Sequence, residues 1–247
     1  MNGYGRGFFG MTPVVKNIIF LNIIMLLATY AAQSVFGLDL TRMLGIYYVG
    51  SESFKPYQVV THMFMHGGLL HLFMNMFALY MFGQILERVW GPGRFLIYYF
   101  VTGIGAIIIH QSVSAFEYTK VMKTISPEML QEVLDNGAAY AEQHKYYIDT
   151  TSQALQSILF TPTVGASGAV FGVLLAFGVL FPNTELMLLF PPIPIRAKYF
   201  VAIYGGIELY LAVTQPGSSI AHAAHVGGMI FGYILIRYWR KTTSTLY

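Results

Sequence analysis

The chain has no cysteine among its 247 residues. Disulfides, thiolate nucleophiles and Cys-ligated metal sites are therefore excluded. Charge is also scarce. Asp, Glu, Lys and Arg make up 10% of the residues, where a soluble domain carries about 25%. With 55% hydrophobic residues, that deficit points to a chain crossing a membrane several times. Aspartate occurs only at 39, 135 and 149, outside the long apolar stretches. No internal repeat or low-complexity tract is evident. The absence of a repeat argues against a transporter assembled from inverted halves.

Six apolar stretches are present, near 14–36, 69–86, 95–111, 167–181, 199–214 and 222–239. The expected fold is all-α: a polytopic membrane bundle of six transmembrane helices. A spanning helix needs about 20 residues. The fourth stretch runs only from 167 to 181 before Pro182, roughly 22 Å at 1.5 Å per residue. This predicts a short fourth helix that starts inside the membrane, after a loop "FTPTVGA" dipping in from one side. The first stretch is preceded by Arg6 and Lys16, as in a signal peptide. Its long apolar run and the five stretches that follow favour an uncleaved helix.

Orientation follows the Lys/Arg distribution. Six spans put both termini on one side, together with Arg6, Lys16, Arg88, Arg94, Arg196, Lys198, Arg237, Arg240 and Lys241. The opposite side holds Arg42, Lys55, Lys120, Lys123 and Lys145. Both termini are expected to be cytoplasmic, so stretches two, four and six run from outside inward. Segment 112–160 is polar and reads as a helical insertion between the third and fourth spans. Within it, "SPEMLQEVLDNG" predicts a short helix with Ser126 as N-cap, Pro127 at the first position and Gly137 past its end. A second helical piece is expected over 138–158.

Polar side chains at membrane depth are costly, and each needs a reason. Three groups qualify: "HGGLLHLFMN" (66–75), "GASGAVFG" (165–172) and "AHAAHVGGMIFG" (221–232). Ser167 opens the fourth stretch, His225 lies near the start of the sixth, and His71 and Asn75 lie near the start of the second. All three stretches run inward, so topology brings these groups to one level toward the outer face. His71 and Asn75 are i,i+4 and share a helix face. Ala221, His225, Gly228 and Gly232 also share one, small except for the imidazole. Gly165, Gly168 and Gly172 strip bulk from around Ser167. Such faces let membrane helices approach closely, as a Ser–His hydrogen bond requires. Phe171, one turn on from Ser167, is placed to lie against the His225 ring.

A serine hydroxyl becomes a nucleophile when a base takes its proton, and imidazole suits that role near neutral pH. The oxyanion formed in acyl transfer needs donors. The free N–H groups of a helix N-terminus at Ser167 and the side chains of His71 and Asn75 are candidates. The aspartates all lie outside the apolar stretches, and Glu208 is a weak candidate for orienting the base. The expectation is a Ser–His dyad rather than a triad.

These motifs, H-x3-N on the second stretch, G-x-S-G opening the fourth and A-H-x2-G-x3-G on the sixth, resemble the rhomboid family of intramembrane serine proteases. The resemblance covers roughly 14–240 apart from the insertion. It implies a single rhomboid-like membrane domain over 1–247, with Ser167 as nucleophile and His225 as general base. It implies His71 and Asn75 as oxyanion-hole residues and matches Gly165 and His66 to family positions. The expected substrates are single-span transmembrane proteins in the lipid bilayer. No cofactor, metal or nucleic-acid partner is expected. The expected location is a cell (inner) membrane, multi-pass, with the site toward the outer face. Two departures stand out. Where the family often carries Trp-Arg before the second helix, this chain has Tyr57-Gln58. The 112–160 insertion is longer than in a minimal member, beside the site's entrance. With no domain before Arg6, the chain reads as a bare catalytic core.

Each group also has a bland reading. The pairs Gly165/Ala169, Gly168/Gly172 and Gly228/Gly232 are small-x3-small packing patterns. His62 and His66 are i,i+4, the spacing of a metal pair, but His71 falls off that face. His222, three residues before His225, is an alternative base without the glycines at +3 and +7. Glu87, Arg88 and Arg94 near "WGPGR" read as a structural cytoplasmic loop. Two other functions compete with proteolysis. One is a catalytically silent relative that binds membrane-protein clients; the other is a transporter or metal-dependent membrane enzyme using the histidines.

Overall fold

The structure, a computed structural model, describes residues 10–187, 192–215 and 221–242. Arg6, used above to orient the chain, lies outside them. The main helices are α1 (Pro13–Phe36), α2 (Leu40–Leu44), α3 (Gln58–Thr61), α4 (Leu69–Trp90) and α5 (Pro92–Met122). They are followed by α6 (Pro127–Glu142), α7 (Thr150–Phe160), α8 (Ser167–Leu180), α9 (Ala197–Thr214) and α10 (His222–Thr242). A two-stranded antiparallel ribbon, β1 (Glu185–Met187) with β2 (Pro194–Arg196), pairs Glu185 with Arg196.

Among the described residues, α1, α4 and α5 are long and apolar enough to cross a membrane, and α8 is a shorter apolar helix. The outward surfaces are greasy. Phe20, Ile24 and Leu27 on α1, Phe73 and Phe77 on α4, and Ile203, Ile207 and Tyr210 on α9 are all exposed. Helices with exposed apolar flanks and internally bonded backbones are the form lipid selects. This is a membrane-embedded helical bundle.

Helix α8 sits at its centre. Eleven of its 14 residues are buried, and it packs against α4, α5, α9 and α10. It has no polar stripe because no side of it faces water; a helix apolar all round is a buried helix. Glycines set the close approach. A Cβ at Gly228 on α10 would run into the Gly168 carbonyl, and one at Gly168 into Ala106 on α5. On Gly232 it would hit the Tyr98 hydroxyl, which donates 2.8 Å to the Gly172 carbonyl.

The chain between the third and fourth stretches departs from expectation. Helix α5 continues to Met122, 31 residues or roughly 46 Å, well past the end expected near 111. Ser126 Oγ accepts from Met129 N at 3.3 Å and starts α6 as expected. The helix does not stop at Gly137 but runs to Glu142. Gly137 is held inside it by packing, since a Cβ there would lie 2.8 Å from the Phe160 ring. The next helix is correspondingly shorter than 138–158. It begins only at Thr150, where Asp149 Oδ2 accepts 2.8 Å from Ser152 N. Val121, Val133, Leu155 and Leu159 join α5, α6 and α7 in a small core of their own.

The Tyr57-Gln58 departure has a structural reason. Gln58 is buried and ties the loop together. Its Nε2 donates to Ser53 O (3.2 Å) and Met43 O (3.4 Å), and its Oε1 accepts from Lys55 N (3.0 Å).

Candidate active site

The site is assembled from the starts of α4, α8 and α10, with one residue from α9. Gly165 makes the turn into α8. Its φ of +130° is one that side chains rarely adopt, and a Cβ there would sit 2.9 Å from His71 Cε1 and 3.0 Å from Nε2. Its N–H donates 2.9 Å to the His62 carbonyl, which anchors the turn to the segment before α4. Thr163, two residues earlier, pairs with Ile46 through both backbone bonds, at 2.8 and 2.9 Å. Ser167 is thus delivered as the first residue of a buried helix whose leading N–H groups lack intrahelical acceptors.

Ser167 Oγ lies 2.9 Å from His225 Nε2. The other ring nitrogen, Nδ1, lies 2.8 Å from Glu208 Oε2, and that oxygen also lies 2.7 Å from His222 Nδ1. A carboxylate oxygen only accepts, so both Nδ1 atoms carry protons. In a neutral ring, His225 then presents the Nε2 lone pair to Ser167, whose hydroxyl donates to it. Phe171 stacks on the His225 ring with centroids 4.1 Å apart and planes 8° from parallel. Beside the expected Ser–His pair, a carboxylate thus lies on the far side of the imidazole. Glu208 is buried in α9 and faces the α10 histidines. It was legible only as a glutamate at the right depth; its facing needed the α9–α10 packing.

His71 and Asn75 stand across from Ser167. Gly67 N–H points at His71 Nδ1 at 3.4 Å, which leaves the Nε2 side of a neutral ring to carry the proton near Gly165. Asn75 donates one amide hydrogen to the His71 carbonyl at 3.1 Å and keeps a second. His66 packs edge-on to His71, with centroids at 5.0 Å, and among the described residues neither of its ring nitrogens has a hydrogen-bond partner. His62 does not pair with His66; its Nδ1 donates 2.8 Å to the Gln58 carbonyl. Gly168, Gly228 and Gly232 form the α8–α10 seam described above.

A cavity of about 1860 Å³ opens on Ser167 and His225. Met74, Phe77 and Met81 of α4 and Phe200, Ile207 and Leu211 of α9 give it apolar walls. Gln111, Tyr146, Gln153, Ser157 and Thr163 give it a polar end. Among the described residues, one cluster has the makings of a metal site: Glu208, His222 and His225, with ligand atoms within 4.8 Å of one another. Hydrogen bonds already account for those atoms, and a cation would have to displace both Nδ1 protons.

The rhomboid family profile, described as the Rhomboid domain, matches residues 53–242. The chain belongs to the rhomboid family. An uncharacterised mitochondrial rhomboid protein of Schizosaccharomyces pombe is 28% identical over 202 residues, covering 74% of this chain and 51% of the relative. The mitochondrial Rhomboid protein 1 of Saccharomyces cerevisiae is 27% identical, over 75% of this chain and 42% of its own length. The rhomboid protease GluP of Bacillus subtilis is 26% identical, over 72% and 25%. The chain thus spans about half, or less, of the length of these relatives. The rhomboid match begins at residue 53, so it takes in the starts of α4, α8 and α10 that build the site.

Proposed function

We propose that this rhomboid is an intramembrane serine endopeptidase that cleaves single-span transmembrane proteins. The observation that carries the reading is the 2.9 Å approach of His225 Nε2 to Ser167 Oγ. It joins two residues 58 positions apart at the wall of a cavity with apolar sides and a polar end. Ser167 is the nucleophile and His225 the general base. As the Ser167 oxygen attacks the scissile carbonyl carbon, its proton passes to His225 Nε2. The oxyanion is met by the Ser167 N–H, the His71 Nε2–H and the free Asn75 amide hydrogen. His225 then protonates the leaving amine as the C–N bond breaks. Water, deprotonated by the same imidazole, resolves the acyl-enzyme. Phe171 holds the ring plane, Gly165 makes room for His71, and Gly168, Gly228 and Gly232 bring α8 and α10 close enough for contact. His66 backs His71.

The substrate enters from the lipid between α4 and α9 and unwinds toward the polar end, because a helical peptide bond hides its carbonyl. The bundle is read as six spans, with the short α8 starting inside the membrane and the site near the outer leaflet. The Lys/Arg distribution puts both termini on the cytoplasmic side of a cell (inner) membrane. The whole described chain acts as one membrane domain, with α6 and α7 as its polar insertion. No metal or cofactor takes part. The second reading is a silent client-binding rhomboid, which would use the same cavity without chemistry.

Reconstitution with a helix-destabilised single-span substrate tests this. Cleavage by wild type and none by Ser167→Ala is the expected result. Full cleavage by Ser167→Ala would overturn the mechanism, and no cleavage by folded wild type would favour the silent reading.

A further inference from the structure

The shared carboxylate of Glu208 is the feature a Ser–His dyad does not need. One oxygen, Oε2, takes an N–H from His225 at 2.8 Å and another from His222 at 2.7 Å. All three residues are buried, Glu208 to 5%, His222 to 6% and His225 to 8% exposure. A buried carboxylate costs several kcal/mol unless its lone pairs are used, so it is placed where that cost is offset. Here both donors come from one turn of α10, and the acceptor comes from α9.

We infer that Glu208 is a positioning residue. It fixes the His225 imidazole through Nδ1–H, and His222 clamps the carboxylate in place, giving a chain His222–Glu208–His225–Ser167. The inference rests on the serine-protease reading. An imidazole held by a ring stack alone, such as that of His225 on Phe171, is fixed in its plane but free to exchange which nitrogen carries the proton. A carboxylate on Nδ1 removes that freedom. It keeps the Nε2 lone pair facing Ser167 Oγ and stabilises the imidazolium formed when the proton arrives. A lone histidine donor would leave Oε2 free to swing. The second donor, from His222, makes its position stiff. His222 reaches Ser167 only through the carboxylate and is not itself the base.

A purely structural role for the same contacts would be to bolt α9 to α10. The two roles separate on kinetics. Glu208→Gln keeps the shape and a hydrogen-bonding head, but its amide N–H₂ favours the wrong His225 tautomer. Labelling of the purified full chain by a fluorophosphonate probe is followed for wild type, Ser167→Ala, Glu208→Gln, Glu208→Asp and His222→Gln. Cleavage kinetics and thermal unfolding are measured on the same samples. The expected result is a fall of about 10²–10⁴-fold in labelling rate and kcat for Glu208→Gln. KM should stay within about twofold, and the unfolding temperature should stay near wild type. Glu208→Asp should regain part of the rate, and His222→Gln should lose less than about tenfold. The inference is overturned if Glu208→Gln labels within about threefold of wild type while Ser167→Ala does not label. It is also overturned if the loss follows the folded fraction, or if His222→Gln loses as much as Glu208→Gln. Absence of labelling in folded wild type would instead sink the protease reading itself.

Discussion

Two buried glutamates sit at opposite ends of the molecule. Glu208 holds two imidazoles beside Ser167. Glu87 lies near the far end of α4, 16 residues on from His71 or roughly 24 Å along the helix. Its carboxylate caps α1, accepting from Thr12 Oγ1 (2.5 Å), Val14 N (2.9 Å) and Val15 N (2.8 Å). The cost of burying each carboxylate is met by hydrogen bonds, but the donors differ in kind. Backbone N–H groups and a threonine hydroxyl keep their protons near neutral pH, so Glu87 holds α1 against α4, matching the positive end of the α1 dipole. Imidazoles can change protonation, and the far nitrogen of one of them reaches a serine. The same residue type is thus a bolt between helices in one place and, on the proposed reading, a positioning group for the base in the other, decided by what it touches.

The largest expected effect falls at the Glu208 end. His225→Ala should cut cleavage by about 10⁴-fold or more while the protein unfolds near the wild-type temperature. Kinetics and thermal unfolding on one preparation would check both halves. Glu87→Ala should show the reverse. It leaves α1 N–H groups unpaired, and we expect a loss of about 2–3 kcal/mol with turnover per folded molecule near wild type. A Glu87→Ala protein that is stable but slow would erase the distinction drawn here.

Gly165→Ala should hurt both properties. The φ of +130° costs about 1–3 kcal/mol for a side chain, and the new methyl would push against His71. A crystal structure or probe labelling of that variant would show whether His71 moves. Smaller again is the effect of Tyr146→Ala with Gln153→Ala on the cavity's polar end. Selectivity between two substrates should shift several-fold while labelling of Ser167 stays constant, as measured by competition cleavage.

The smallest effect is one of pH. Asp149 is held below its usual 3.8 by the Ser152 backbone N–H, then by the Ser152 side chain. A carboxyl with a lowered folded pKa adds stability that is fully present above its unfolded value and is lost as pH falls below it. The start of α7 should therefore fray below about pH 3.8, seen as faster amide exchange at Ser152. Asp149→Asn should remove that pH dependence.

Much of the site was legible because its three motifs carry their own geometry. His71 and Asn75 share a helix face by spacing alone, and stretches expected to run in the same direction put Ser167 and His225 at one level. Glu208 was legible only as a weak candidate at the right depth, since a single glutamate in an apolar stretch has no motif and its partner is chosen by how α9 packs on α10. Glu87 was read as loop for the same reason, its capped helix lying 72 residues away. In the insertion, Gly137 carried an ordinary helix-stop signal. The Phe160 ring against it made the glycine a packing choice instead, and α6 ran on.

The most direct measurement is fluorophosphonate labelling of the purified protein as wild type, Ser167→Ala and His225→Ala. Labelling of wild type alone is the result this account predicts, because it requires a hydroxyl activated by that imidazole. Equal labelling of wild type and Ser167→Ala, or none in folded wild type, would contradict it.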